Sequence, residues 1–426
     1  QVILARSQQN SATTQLPAGE GSTNSLICQL QVFNSALANA TVTATISVKK
    51  SAISSNVSAI SNIVSTQLSA ASNNLNSLKQ VIATMGTVMN RVNCSGAPNC
   101  AKLNRESCSS VSHTCGPCLN PTVFAGESGS ANTPCYNISK GSGSGSGSDS
   151  GSCKSSDDCG AAQQCDSISH KCFVPSKTCP GSSSGASCSG HGKCIFTNSL
   201  TQNTTKTCLL TDSSCTASCV CLDGFGSSDC SMTQAQLSQA QTVRTQLLQG
   251  LISVIAIENS ESTSLSSWSS NLLSMTQKPS EISSDGADLA LQAIESIVTQ
   301  AQSSYADIST MNNIMVSLDN LFAATVSSSS SSGSSNKRRL ASSSSSTSTI
   351  LAQIDKSGQI ITQGMLSGQK SQDTVGTNFR ITSDILLKDS AKAQVPSTSL
   401  ESALGKKSPS VSVSLNAKQA VSINAV

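Results

Sequence analysis

The chain has 426 residues and sets 26 Lys and Arg against 23 Asp and Glu, a formal charge of +3 that gives no field strong enough to argue for nucleic acid as a partner. Charged residues make up 12% and aromatics 2%, so with one Trp, two Tyr and seven Phe the cores must be small, helical and aliphatic, or stapled. Of 19 cysteines, 18 fall between Cys94 and Cys230 and only Cys28 stands apart. Cysteine at that density, in a segment poor in large hydrophobes, reads as a disulfide framework in an oxidising, extracellular or lumenal compartment. The zinc alternative needs thiolates or imidazoles in sets of four at short paired spacings. The chain offers His113, His170, His191 and one Cys-x-x-Cys pair, Cys115 and Cys118.

Gln1 opens the chain without a basic or apolar leader, which reads as an internal start. From Asn24 to Lys49 apolar residues alternate (Leu26, Cys28, Leu30, Val32, then Val42, Ala44, Ile46, Val48) across a turn-like Asn34 to Asn39, predicting two half-buried strands. Two strands form no stable core alone. The pair resembles the last strands of an immunoglobulin-like or polycystic-kidney-disease-type sandwich, which implies that the rest of the sheet lies elsewhere. Cys28 takes an inward position in the alternation, as a buried small hydrophobe or as half of a bridge to a missing partner.

From Ser54 to Val92 the period becomes helical, with Val57, Ile60, Val64, Leu68, Leu75, Leu78, Val81, Ile82, Met85 and Met89 spaced by threes and fours. One long helix or two fit, packed on one side and soluble on a Ser, Asn and Gln face. The cysteines then divide into parcels of even count, favouring closure within each. Cys94, Cys100, Cys108, Cys115, Cys118 and Cys135 make six. A Gly-Ser tract at 139–152 is a flexible tether. Cys153, Cys159, Cys165 and Cys172 make four, and Cys179 to Cys230 holds eight.

After Cys230 the helical period returns in Leu237, Val243, Leu247, Leu251, Val254 and Ile255, then Leu289, Ile294, Ile297 and Val298, then Ile308, Met311, Met315, Leu318 and Phe322. Three or four helices fit, punctuated by Pro279 and Gly286, with no clear capping box at Ser280 and Ser283. The most apolar run, Leu247 to Ile257, is broken by Gln249, Gly250 and Ser253 and falls short of the ~18 residues that a membrane helix needs. A membrane contact is therefore expected only through a segment outside this chain. Ser327 to Thr347 is low-complexity and expected to be an exposed linker; its Lys337-Arg338-Arg339 run is a solvated charge cluster or a processing site. The tail has a helical stretch (Leu351, Ile354, Ile361) and strand-like runs at Phe379 to Leu387 and Val411 to Val426, the last read as cut short in a fragment of a longer protein.

The expected organisation is multi-module: a β-sandwich remnant at 1–50, a helical segment at 51–93, a six-Cys module at 94–138, a Gly/Ser linker at 139–152, a four-Cys module at 153–173, an eight-Cys module at 174–230, a helical domain at 231–326, a Ser-rich linker at 327–347 and a partial β-rich, membrane-proximal-type domain at 348–426.

The most specific motif is Cys179, then Cys188-Ser-Gly-His-Gly-Lys-Cys194, then Cys219-Val-Cys221-Leu-Asp-Gly-Phe-Gly-Ser-Ser-Asp-Cys230. It resembles the epidermal-growth-factor-like module of tenascin type. The resemblance implies bridges Cys179 to Cys194, Cys188 to Cys219 and Cys221 to Cys230; the long insertion departs from the family, and its own Cys208 and Cys215 are expected to pair. Gly192 and Gly224 suit tight turns and Phe225 is the one aromatic for a small sheet, with bridges replacing a core. Calcium-binding members carry acidic residues just before the first cysteine; here that stretch is Phe173-Val174-Pro175-Ser176-Lys177-Thr178, so no calcium and no other cofactor is expected. Such a module is a spacer or a protein-binding surface.

The six-Cys parcel, with Leu103-Asn104-Arg105 and Cys115-Gly-Pro-Cys118, looks like short repeats of large surface proteins in unicellular eukaryotes. Its Cys-x-x-Cys lacks the strand and helix of a redox site. In order, the parts resemble the ectodomain of polycystin-like proteins with a receptor-for-egg-jelly region. No histidine follows His191, so the His-Leu-Ser/Thr cleavage tripeptide of that family is not carried over. Asn39, Asn56, Asn93, Asn137 and Asn203 begin Asn-x-Ser/Thr sequons, which a Ser- and Thr-rich chain also produces by chance. Gly141 to Gly151 only loosely resembles a nucleophile elbow, and scarce His and aromatics leave little for a dry catalytic site. The chain is expected not to be an enzyme. The reading is an extracellular part of a cell-surface adhesion or receptor protein, glycosylated and recognising protein or glycan ligands or sensing force; the alternative is a secreted structural subunit of a filament or flagellar hair.

Overall fold

The structure is a computed structural model that describes residues 16, 19, 23–34, 38–49, 57–138, 153–160, 162–181, 186–198, 201, 203–304, 306–329, 337–366, 369–386, 390–404, 406, 410–414 and 419–425. It is a mixed helical and small-sheet protein with a disulfide-rich centre.

Strands β1 (Ser25–Phe33) and β2 (Asn39–Ser47) pair antiparallel, with Leu26 opposite Ile46, Cys28 opposite Ala44 and Leu30 opposite Val42. Among the described residues neither strand pairs with a third. The half-buried strands expected here are largely exposed: Leu30 is 63% and Val42 65% accessible, and Cys28 is a half-buried free thiol. Alternation placed these side chains on one face, but among the described residues nothing is stacked against most of it.

The helical period of 54–92 resolves into two helices, α1 (Val57–Ala71) and α2 (Leu75–Met89). They break because Asn74 has extended backbone and its side chain accepts the Ser77 N–H, an N-cap worth about 1 kcal/mol. After the cysteine region come α3 (Gln234–Ile257), α4 (Ser262–Thr276), α5 (Ser284–Ser304), α6 (Ile308–Ser329) and α7 (Lys337–Gln363). Helix α3 opens on a capping box in which Thr233 and Gln236 exchange bonds, and α5 follows Ser283, whose hydroxyl accepts the Gly286 N–H. The run Leu247 to Ile257 is core rather than membrane: Leu247, Leu248, Leu251 and Val254 are fully buried. Among the described residues no helix is long and apolar enough to cross a membrane.

One core takes residues from all seven helices, including Val64 of α1, Ile82 of α2, Leu247 of α3, Trp268 of α4, Ile294 of α5, Leu318 of α6 and Ile354 of α7. The helices at 51–93 and 231–326, read from sequence as separate modules, thus form one bundle, and residues 94–230 are an insertion between α2 and α3. The two helical segments each carry an apolar stripe that neither can cover alone. Gly86 on α2 permits the close approach, since a Cβ there would lie 2.8 Å from Met275 Cε and Ser274 Oγ of α4.

The Ser-rich stretch 327–347 differs from the linker expected. Helix α6 continues to Ser329 and α7 is helical from Lys337, so the Lys337-Arg338-Arg339 run begins a helix. Propagation from an anchored nucleus costs little per residue, and Ile350, Ile354 and Ile361 fix the downstream half of α7 in the core.

The small strands of the insertion are β3 (Phe124–Ala125), β4 (Tyr136–Asn137), β5 (Gln164–Cys165), β6 (Cys172–Phe173), β7 (Gly192–Asn198), β8 (Thr204–Thr205), β9 (Cys215–Cys221), β10 (Phe225–Gly226) and β11 (Met232–Thr233). In the tail, β12 (Gln372–Val375), β13 (Arg380–Leu386) and β16 (Gln419–Ala425) form an antiparallel sheet. Strands β14 (Ser390–Gln394) and β15 (Ser410–Ser414) form a separate pair, with helix α8 (Ser399–Ala403) between them in sequence.

Candidate functional site

The feature of the molecule that its bundle does not explain is the insertion, a hub built almost without apolar core. Its 18 cysteines form nine disulfides. Cys94 bonds Cys108, Cys100 bonds Cys115 and Cys118 bonds Cys135. Cys153 bonds Cys165 and Cys159 bonds Cys172. Cys179 bonds Cys194, Cys188 bonds Cys219, Cys208 bonds Cys215 and Cys221 bonds Cys230. Two sets of three cysteine sulfurs lie close enough to share a metal, Cys153, Cys159, Cys172 and Cys179, Cys188, Cys219, but all six are disulfide-bonded and offer no thiolate. The Cys-x-x-Cys pair is split between two bridges, so it makes no redox couple with itself.

The six-Cys parcel is organised around Arg105, 1% exposed. Its Nε donates to Thr133 O, its Nη1 to Gly116 O and Gly129 O at 3.0 Å each, and its Nη2 to Glu127 O at 3.0 Å and Thr133 Oγ1 at 3.3 Å. Loops too short for regular structure thus satisfy their carbonyls on one rigid fork of donors. Burial lowers the guanidinium pKa to about 10, with nearby Glu127 acting in the opposite sense. Burial raises the Glu127 carboxyl, although the Thr133 hydroxyl, Lys177 and Arg105 favour its ionised form.

In the eight-Cys parcel β7 pairs antiparallel with β9, with Cys194 opposite Cys219, and β8 adds a short third strand. Gly224 adopts φ +85°, a left-handed turn that suits glycine, and leads into Phe225, whose ring stacks on His191 at 4.0 Å between centroids. Asp229 lies under the turn between β10 and β11. Burial opposes its ionisation, but the hydroxyls of Ser227, Ser231 and Ser112 and the Ser231 N–H hold the carboxyl below its ordinary value.

The six- and eight-Cys parcels are joined to each other, and the chain that leads into them is joined to the bundle. The Gly181 N–H donates to Thr114 Oγ1 at 3.0 Å, and the Asp229–Ser112 bond crosses the same seam. Within the eight-Cys parcel Lys177 Nζ donates to Cys215 O at 2.7 Å, and from the tail Lys406 Nζ donates to Thr211 O at 2.8 Å. At the bundle end, Arg244 of α3 bonds Glu281 at 2.7 Å, Asn90 Oδ1 and Met275 O, while Lys278 Nζ reaches Met89 O and Arg91 O, each at 3.1 Å. The strand of chain leaving α2 for the hub is therefore fixed by cations rooted in α3 and in the turn after α4.

Of the sequons, Asn39 at the start of β2, Asn93 before the Cys94 bridge and Asn203 are exposed, whereas Asn137 in β4 is half-buried opposite Phe124. Asn56 and the Gly-Ser tract with its elbow-like repeat lie outside the described residues. Sequence reasoning passed over Arg105 as part of a repeat and did not single out Asp229, Arg244 or Glu281. The available signal was weak: Arg105 stands beside Glu106 in the sequence, and nothing in that pairing shows that its guanidinium turns instead to carbonyls of residues 116–133.

No family model, no curated protein and no solved structure matches the chain. A mixed α and small-sheet protein with nine disulfides at its centre, and no membrane-crossing helix among its described residues, is compatible with an extracellular or secreted setting.

Proposed function

We propose that the chain is an extracellular part of a cell-surface adhesion or receptor protein of polycystin-like kind, with residues 174–230 an epidermal-growth-factor-like module of tenascin type, and that it presents its hub to a protein or glycan ligand. The observation that carries the reading is the closure of every cysteine from 94 to 230 in an insertion held at both ends by the bundle. Disulfides substitute for core where a surface must be rigid yet displayed outside the cell. In this reading the bundle is the mount, the exposed Asn39, Asn93 and Asn203 carry glycans, and recognition involves no nucleic acid and no cofactor.

The test has two parts. Secreted protein is mapped by non-reducing peptide mass spectrometry; Cys221 and Cys230 in different linked peptides would end the module assignment. The complete transcript is then read beyond Val426. A membrane segment supports the receptor, and a stop codon or further cysteine repeats transfers the proposal to a secreted filament subunit. One observation favours that second reading: β1 and β2 carry no charged residue and leave Ile27, Leu30, Val32 and Val42 exposed, a surface suited to contact between chains.

A further inference from the structure

The β-rich tail meets the bundle at α6 and α7. Asp319 of α6, 7% exposed, grips the turn between β12 and β13: its Oδ2 accepts the Thr377 N–H at 2.9 Å, and its Oδ1 accepts the Asn378 N–H at 2.8 Å and Asn378 Nδ2 at 3.2 Å. Gly376 makes room for this carboxylate, because a Cβ there would lie 2.8 Å from Asp319 Cγ. Among the residues whose side chains the structure describes, Phe379 and Ile381 beside and in β13 are buried in the common core, with Ile385 partly so. Buried polar atoms without partners lie on both elements that meet here, α7 and β13. Ser357 of α7 and Ser383 of β13 are fully buried and Gln353, one turn before Ser357, is 3% exposed, yet Ser357 Oγ, Ser383 Oγ and Gln353 Oε1 have no hydrogen-bond partner. Helix α7 packs against both β13 and β16.

Unpaired buried polar atoms penalise the closed arrangement and are relieved when water reaches them. The same surface is closed by one carboxylate making charge-assisted bonds to backbone, a contact that is strong while aligned and lost together when the turn moves. We infer that the sheet of β12, β13 and β16 is a releasable latch, which leaves the helical bundle as a unit while the bundle stays folded, with Asp319 as the catch. Helix α3, by contrast, buries Val243, Leu247, Leu248, Leu251 and Val254 with no such defect, and opens only with the whole bundle.

Native-state hydrogen exchange on the full chain, resolved by mass spectrometry, tests this. Amides of β12 and β13 are expected to open together and to exchange at least about 100-fold faster, relative to their unfolded rates, than those of α3. Asp319→Ala and, separately, Gly376→Ala should each speed exchange in β12 and β13 by about tenfold or more and leave α3 and α5 unchanged, the size expected for losing charge-assisted bonds. Ser357→Ala, which removes an unpaired hydroxyl, should slow exchange in the same strands; a merely damaged fold would do the reverse. Equal protection of β13 and α3, or variants at 319 and 376 that accelerate α3 as much as β13, would overturn the latch.

Discussion

The bundle and the hub solve the same problem, holding a chain in one shape against its conformational entropy, by opposite means. The bundle spends its aliphatic residues on a shared interior around the fully buried Trp268, and contains no cysteine. The hub has few large apolar side chains to bury and closes its loops covalently, with Arg105 serving where a core would be. A core tolerates reduction and fails when its packing is opened. Disulfides act in large part on the unfolded chain by restricting it, and fail when that restriction is removed. The two regions should therefore be separable by the agent that unfolds them.

The sharpest separation is reduction. A strong thiol reductant under otherwise native conditions should unfold 94–230 and leave the protection of α3 and α5 amides standing, read by hydrogen exchange, because removing one native disulfide from a small domain typically costs about 2–5 kcal/mol and nine are lost here. Loss of both regions together would mean that the hub is an integral part of the bundle. Within the bundle, Glu281→Ala strands the buried Arg244 and should destabilise by about 3–5 kcal/mol in chemical denaturation. Replacing both at once, Arg244→Met with Glu281→Leu, should recover most of that loss, since an apolar pair needs no desolvation to be compensated.

Leu247→Ala opens a cavity in the core and should cost about 2–5 kcal/mol while leaving the pattern of disulfide-linked peptides intact. The smallest effect is in the hub and depends on pH. Burial raises the Glu127 carboxyl in the folded state, so the folded hub binds more protons there than the unfolded chain does. Its contribution is fully present below the ordinary carboxylate value, about pH 4, and is lost as pH rises through the raised folded value. Glu127→Gln should flatten that part of the stability profile of the oxidised hub; an unchanged slope would assign it to other groups.

Sequence and structure part company along the same division. Cysteine density, even parcels and the turn at Gly224 were legible because a disulfide region is local: its bridges join residues a few to a few tens apart, the widest being Cys188 to Cys219. Gly192, read as a turn, lies instead in β7, where a Cβ would come 2.7 Å from Cys230 Sγ. The periodicity of 54–92 and 231–326 marked helices for the same reason. It did not show that these helices belong to one core, because an apolar stripe says that a face is covered and not by what. Arg105 was invisible as an organiser, since its partners are backbone carbonyls, which every sequence has. The apolar alternation of Leu26 to Val48 predicted burial that the described residues do not supply, and the part of the Ser-rich run at 337–347 hid helix because propensity there is weak and continuation from the buried half of α7 decides.

By itself the sequence determined composition-level facts and local chemistry: a stapled centre, helical segments with one apolar side and the absence of a charge field. Those follow from residue type and short spacing, which act before any long-range contact forms. Only the tertiary structure decided that α1 and α2 close onto α3 to α7 with the hub inserted between them, that Glu281 answers Arg244 across 37 positions and that Asp319 holds a turn 58 residues further on. Such pairings depend on which of many compatible stripes and donors meet. That choice is made by the packing of the whole chain.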